Sequence, residues 1–202
     1  MFGHLVTEEI ISQKTQQLPG WYTASRQAEL RELIGSEYFG FDCVCLVKGI
    51  LWGWNGDASK KYGGAVYQSS GVPDITEGQM INVCSGVSSD FSSLVPGEFL
   101  WMQGHCGIYI GDGLAVECTP KWDNCVQITA VGNIGSKSGY NSRTWTKHGK
   151  LPYVEYVQAE HEIAAGDLVK IASDAEYYGG AAMPAWVKDC LLYTSDAADD
   201  SL

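Results

Sequence analysis

The sequence predicts an α+β fold in which helices come first and an antiparallel β-sheet follows. Three observations lead there. Apolar residues recur at helical spacing up to about residue 54, the period changes to two after Pro96-Gly97, and Gly111-Asp112-Gly113 joins two alternating runs as a hairpin.

Taken in order, Thr7 caps a first helix over roughly residues 8–17, which Pro19 and Gly20 stop. A second helix is expected from about Ser25 to Ile34, ended by Gly35. A third follows Asp42, its N-cap residue: Cys43, Leu46, Val47, Ile50, Leu51 and Trp54 fall at the spacing of one buried face. Residues 55–97, rich in Gly, Ser, Asp and Asn, read as long loops with short helical pieces, in which Asp57 and Asp74 are ordinary turn residues. Strands are expected over 99–102, 105–110, 114–117 and 126–131. The first domain then covers residues 1–157, residues 158–162 form a polar linker, and residues 163–189 begin a small β unit too short to fold alone. The stretch "CLLYTSDAADD" from Cys190 resembles the read-through translation of a sequencing-library adapter. Residues 190–202 are accordingly expected to be an artefact with no place in the fold.

Composition narrows the function. The chain has 202 residues, 45% of them hydrophobic, enough for a real core. Its formal charge is -11 and no cluster of Lys and Arg occurs, which argues against nucleic acid as a partner. The start lacks the pattern of a secretory signal, and no apolar run approaches the length of a membrane span, so membrane insertion is not expected. Nothing in the sequence calls for an oligomer, and a monomer is expected. Seven cysteines without a CxxC pair fit neither a disulfide framework nor a structural zinc site, and no metal or other cofactor is expected. Cys45, Cys84, Cys106, Cys118 and Cys125 read as small apolar fillers.

Cys43 stands apart by position. A thiol in the first turn of a helix meets unpaired backbone N–H groups and the positive end of the helix dipole, which favour thiolate. The hairpin offers it a base. If residues 111–113 form a three-residue turn, residue 110 faces 114 and residue 107 faces 117, so His105, Gly107 and Tyr109 share a face with Glu117. His105 and Glu117 then become diagonal neighbours about 7 Å apart at the backbone. Gly107, opposite Glu117, leaves the space between them open. A carboxylate on one ring nitrogen would orient the imidazole and leave the other to deprotonate a thiol.

These residues also carry a family resemblance. "FDCVCLVK" resembles the FDCSGLV nucleophile motif of NlpC/P60 cysteine peptidases, and "GHCGIYIGDG" resembles their GHVGIYIGNG histidine strand. In that family the next strand supplies a third polar residue, more usually His, and "LAVECTP" places Glu117 there. The likeness spans roughly residues 36–131, with Cys45 where glycine is typical. It implies a papain-like α+β architecture, the nucleophile helix packed on an antiparallel sheet that bears the histidine. The flanks "HLVTEEIISQKTQQLPGWY" and "AVECTPKWDNCVQIT" are similar to phage endolysins and prophage cell-wall hydrolases. In such proteins a further N-terminal helix is usual, and "GDLVKIASDAEYY" looks like the start of an SH3-like wall-binding module.

By resemblance, then, the partner is bacterial peptidoglycan and the catalytic residues are Cys43, His105 and Glu117. The bond cut is the γ-D-glutamyl to diamino acid amide, or alternatively the N-acetylmuramoyl-L-alanine amide. The protein would be made in the cytoplasm and reach the wall by release or another export route. Trp52, Trp101, Tyr109 and Trp122, with Trp54 and Tyr62, are candidate walls of a glycopeptide groove. Two other readings remain open: a catalytically silent wall-binding domain of the same fold, and a cysteine transamidase with the same three residues.

Overall fold

The computed structural model describes residues 1–156, 168–170, 182–184 and 191–193. The chain divides into two compact units, Met1–Tyr156 and Val157–Leu202. In the second, Leu168–Lys170 pairs antiparallel with Leu191–Tyr193, so three residues of the adapter-like stretch take part in a strand pair. The expected linker and most of the expected small β unit lie outside the described residues. No helix among the described residues is long and apolar enough to cross a membrane.

The first unit is α+β. It opens with β1 (Phe2–Leu5), α1 (Glu8–Gln17), α2 (Ala24–Glu32), β2 (Phe39–Phe41) and α3 (Cys43–Leu51). Thr7 caps α1 by accepting from the Ile10 N–H, as its sequence position predicts, and Ile10 and Ile11 supply the buried side. Thr23 caps α2, one residue earlier than expected, and that helix buries none of its residues. The antiparallel pair of β1 with β2 was not expected; neither segment is long enough to show an alternating pattern.

Asp42 caps α3 through the Cys45 N–H at 2.9 Å. The buried positions are Val44, Leu46, Val47, Lys48 and Gly49. The predicted face is therefore rotated: Ile50 is 53% exposed, and the helix ends before Trp54. A lysine takes the apolar place. Lys48 is buried, with its ammonium on the Asp74 carboxylate and on the Ile75 carbonyl at 2.9 Å. Asp74 is thus a counter-ion, not the ordinary turn residue expected, whereas Asp57 does serve its own turn by accepting from the Ser59 N–H.

The loop region contains α4 (Glu77–Val83), fixed by a capping box between Thr76 and Gln79, and β3 (Ser85–Ser88). After it come β4 (Phe99–Met102), β5 (His105–Gly111), β6 (Leu114–Thr119), β7 (Cys125–Val131), β8 (Ser142–Arg143) and β9 (Lys147–Lys150). Their order in one seven-stranded sheet is β3-β9-β4-β5-β6-β7-β8. All neighbours run antiparallel except β7 and β8, which are parallel. One core joins Val44 and Val47 of α3 and Met80 and Ile81 of α4 to Phe99 and Cys106 of the sheet. A second gathers Phe91, Leu100, Tyr109, Ala115, Val131 and Trp145.

The β5–β6 register is reached by a different route from the one expected. Gly111 pairs with Leu114 across a two-residue turn, Asp112-Gly113, both with positive φ. Left uncorrected, that turn would put Glu117 on the other face. A bulge at Ile110 inserts one extra residue, so Tyr109 pairs with Ala115 and Ile108 with Val116. Gly107 is thereby brought opposite Glu117 after all.

Candidate active site

Cys43 is the first residue of α3 and His105 the first of β5, two elements that pack together. The half-buried thiol faces two successive residues of that strand, Cys106 and His105, and both act on it. Interaction with Cys106 first, then interaction with His105 and its positive charge, draw Cys43 down to about 5, against its burial and the nearby Asp42 carboxylate. Helix geometry adds to this, because the first N–H groups of α3 have no acceptor within the helix. Cys45 shares the turn but not the chemistry. Burial pushes its thiol up to about 12, as it does for Cys84 and Cys118.

His105 Nε2 lies 2.6 Å from Glu117 Oε2, which leaves Nδ1 for the thiol. Burial works against the imidazolium, yet the bonds with Cys43 and Glu117 outweigh it and raise the ring's pKa above its ordinary value. Glu117 has no exposed surface. Burial alone would raise its pKa, but the bonds from His105, Arg143 and Thr129 hold it below the ordinary glutamate value. Thr129 Oγ1 donates to Oε1 at 2.7 Å, and Arg143 Nε lies 2.8 Å from Oε1 and 2.6 Å from Oε2.

Arg143 is itself enclosed. Its Nη2 donates to Thr119 Oγ1 at 3.1 Å, and its guanidinium lies 4.9 Å from the Trp122 ring centre and 5.6 Å from that of Trp145. Trp145 in turn stacks on His105, with centroids 5.7 Å apart and planes 10° from parallel. The space over Gly107, expected to be open, is filled by this indole: a Cβ there would come within 3.0 Å of the Trp145 ring and 2.9 Å of the Val116 carbonyl.

The structure therefore brings Cys43, His105 and Glu117 together and disperses the expected aromatic wall. Trp52 is 1% exposed and donates its indole N–H to the Val72 carbonyl, which makes it a core residue. Tyr109 is buried, its hydroxyl taken by the Gly113 N–H. Trp54 packs between Phe39 and Phe41, and Tyr62 against Phe2 and His4. Trp101 is half-buried against the α3 cluster. Trp122, also half-buried, meets the site through Arg143.

Sequence reasoning missed Arg143, Thr129 and Trp145, and treated Cys106 as a filler although it lies beside Cys43. The alternation of Arg143 and Trp145 in "NSRTWT" was the one available signal. A second buried pair, His148 with Glu98 at 2.5 Å, differs in kind: the other ring nitrogen is bonded to the Asp90 carbonyl, so none remains for a nucleophile. Among the described residues no group of three His, Cys, Asp or Glu side chains could hold a metal ion.

Comparison of the chain with family models, curated proteins and solved structures finds no match. The chemistry of the site thus rests on its own geometry. A thiol drawn toward thiolate, an imidazole with one nitrogen free for it and a buried carboxylate on the other are the components of nucleophilic acyl transfer.

Proposed function

We propose that this protein is a thiol-dependent peptidoglycan hydrolase with a papain-like arrangement of the NlpC/P60 type, cutting an amide of the stem peptide. The observation that carries the chemistry is His105 held between Cys43 and the buried Glu117, with the Cys43 thiol drawn to about 5. The substrate class rests on the resemblance of the Cys43, His105 and Glu117 segments to that family. The bond proposed is the γ-D-glutamyl to diamino acid link, and no cofactor is invoked.

In this reading Cys43 Sγ attacks the carbonyl carbon, and the N–H groups at the start of α3 stabilise the oxyanion. The His105 imidazolium gives its proton to the departing amine as the C–N bond breaks, leaving a thioester on Cys43. Neutral His105 then takes a proton from water, whose oxygen attacks the thioester. The acid departs, losing its proton to solvent, and the thiolate–imidazolium pair is restored. Glu117 keeps the ring in the tautomer and orientation that both halves require.

The test is a digest of purified peptidoglycan with the wild type and with Cys43→Ala, followed by mass spectrometry of released fragments and freed amines. Freed diamino acid amines from the wild type alone are the expected result. Freed L-alanine amines would move the cut to the muramoyl amide. Absence of any product from a folded wild type would overturn the hydrolase reading in favour of a silent wall-binding domain.

A further inference from the structure

We propose that Arg143 is the positioning residue of this site, pinning Glu117 as a carboxylate so that it orients His105 without taking its proton. This rests on the proposed role of His105 as proton carrier. A carboxylic acid with no exposed surface is neutral unless something in the protein replaces water around its charge. Here a group able to supply the proton needed for neutrality, Nε2 of His105, lies 2.6 Å away. A transfer across that bond would leave a neutral pair, and Cys43 would lose the imidazolium that holds its thiolate. Arg143 Nε sits within 2.8 Å of both Glu117 oxygens, and its Nη2 is anchored on Thr119.

The groups around the pair come from several elements, and they leave this task to Arg143. His105 on β5 faces Glu117, Thr129 on β7 donates to it but carries no charge, and Cys43 on α3 faces His105 from the other side. Cys106 adds a neutral thiol beside Cys43. Lys121 lies on Trp122, 4.6 Å from the ring centre, with that indole also against Arg143. Arg143 is the cation in contact with the carboxylate that has no proton to give it, His105 being the other. Its enclosure by Trp122 and Trp145 and its Nη2 bond to Thr119 fix the guanidinium plane, so Nε meets Glu117 in one geometry.

Infrared difference spectroscopy of the full chain tests this without substrate. In the wild type, the band of a protonated buried carboxyl assigned by its loss in Glu117→Gln should be absent from neutral pH down through the ordinary glutamate range. Its presence at pH 6 in the wild type would overturn the proposal. In folded Arg143→Gln the band should appear at pH 7 and vanish in Glu117→Gln/Arg143→Gln; a Glu117 still ionised in Arg143→Gln would also overturn it. The wild-type titration decides the matter if Arg143→Gln does not fold. Arg143→Lys keeps the charge and loses the anchor on Thr119, so no band should appear. In that variant kcat on a soluble muropeptide should fall by about tenfold or more with KM little changed. Arg143→Lys with the band present would overturn the assignment of this role to charge. A wild type inactive on muropeptide sinks the hydrolase reading, while the infrared result still decides Arg143.

Discussion

Two positions along one helix, Cys43 and Cys45, show how far surroundings set a thiol's chemistry. Burial and the Asp42 carboxylate hold Cys45 at about 12, whereas Cys106 and His105 draw Cys43 to about 5. A thiol whose folded pKa is about 5 is mostly thiolate above that pH, so its reaction with iodoacetamide should change little between pH 6 and 8. An ordinary thiol, at 9.0, would speed up about tenfold per unit over the same range. Peptide mapping after alkylation at pH 6 should find Cys43 modified and Cys45 and Cys118 intact. His105→Ala should suppress that reaction strongly, and Glu117→Gln less, since an amide can still orient the ring. Loss of equal size in both would assign the effect to the charge of Glu117. The cluster of Cys43, His105 and Glu117 was legible in the sequence because Cys at a helix start, His on a strand and an acid on the next strand are scarce types in telling positions. Arg143 and Trp145 were not, because they reach the site through the parallel pairing of β7 with β8, which no local pattern announces.

At the scale of elements, the helix caps Thr7 and Asp42 and the alternating runs of β4 to β7 could be read directly. β1, β2 and β8 could not, being too short for a period to register. The β5–β6 hairpin was legible in its faces but not in its construction. Its register depends on the Ile110 bulge, and Gly111, at φ 96°, supplies a backbone conformation that side chains disfavour. Gly107 is the other sensitive point. Its missing side chain is what lets Trp145 lie over the strand, so Gly107→Ala must move either the indole or the Val116 backbone. The expected cost is about 1–3 kcal/mol in chemical denaturation, the range of core overpacking. Activity on peptidoglycan should fall by about tenfold or more as the ring stack on His105 shifts. Unchanged activity would mean that Trp145 only fills space.

Across the first unit, α3 is tied to the irregular region before α4 by one buried charge. Lys48 is the enclosed partner and Asp74 the partly exposed one, which also accepts from the Tyr67 hydroxyl at 2.8 Å. Removal of the two partners should therefore have unequal effects. Asp74→Ala strands an ammonium in the core and should cost about 3 kcal/mol, whereas Lys48→Met leaves a carboxylate that water can reach and should stay within about 1 kcal/mol. Denaturant midpoints of the two variants measure the difference, and equal losses would show that Asp74 is not the ammonium's essential partner. This tie was hidden from the sequence because a lysine at an apolar helix position reads as a surface residue. Its counter-ion lies 26 residues away, in the segment with the weakest pattern.

The stack of Trp145 on His105 also has an optical meaning. An excited indole gives up an electron to a protonated imidazole far more readily than to a neutral one, so its emission is dimmed while the ring carries its proton. Stacked with their centres 5.7 Å apart, the two rings make Trp145 an unlabelled indicator. The light it emits brightens whenever His105 lets its proton go.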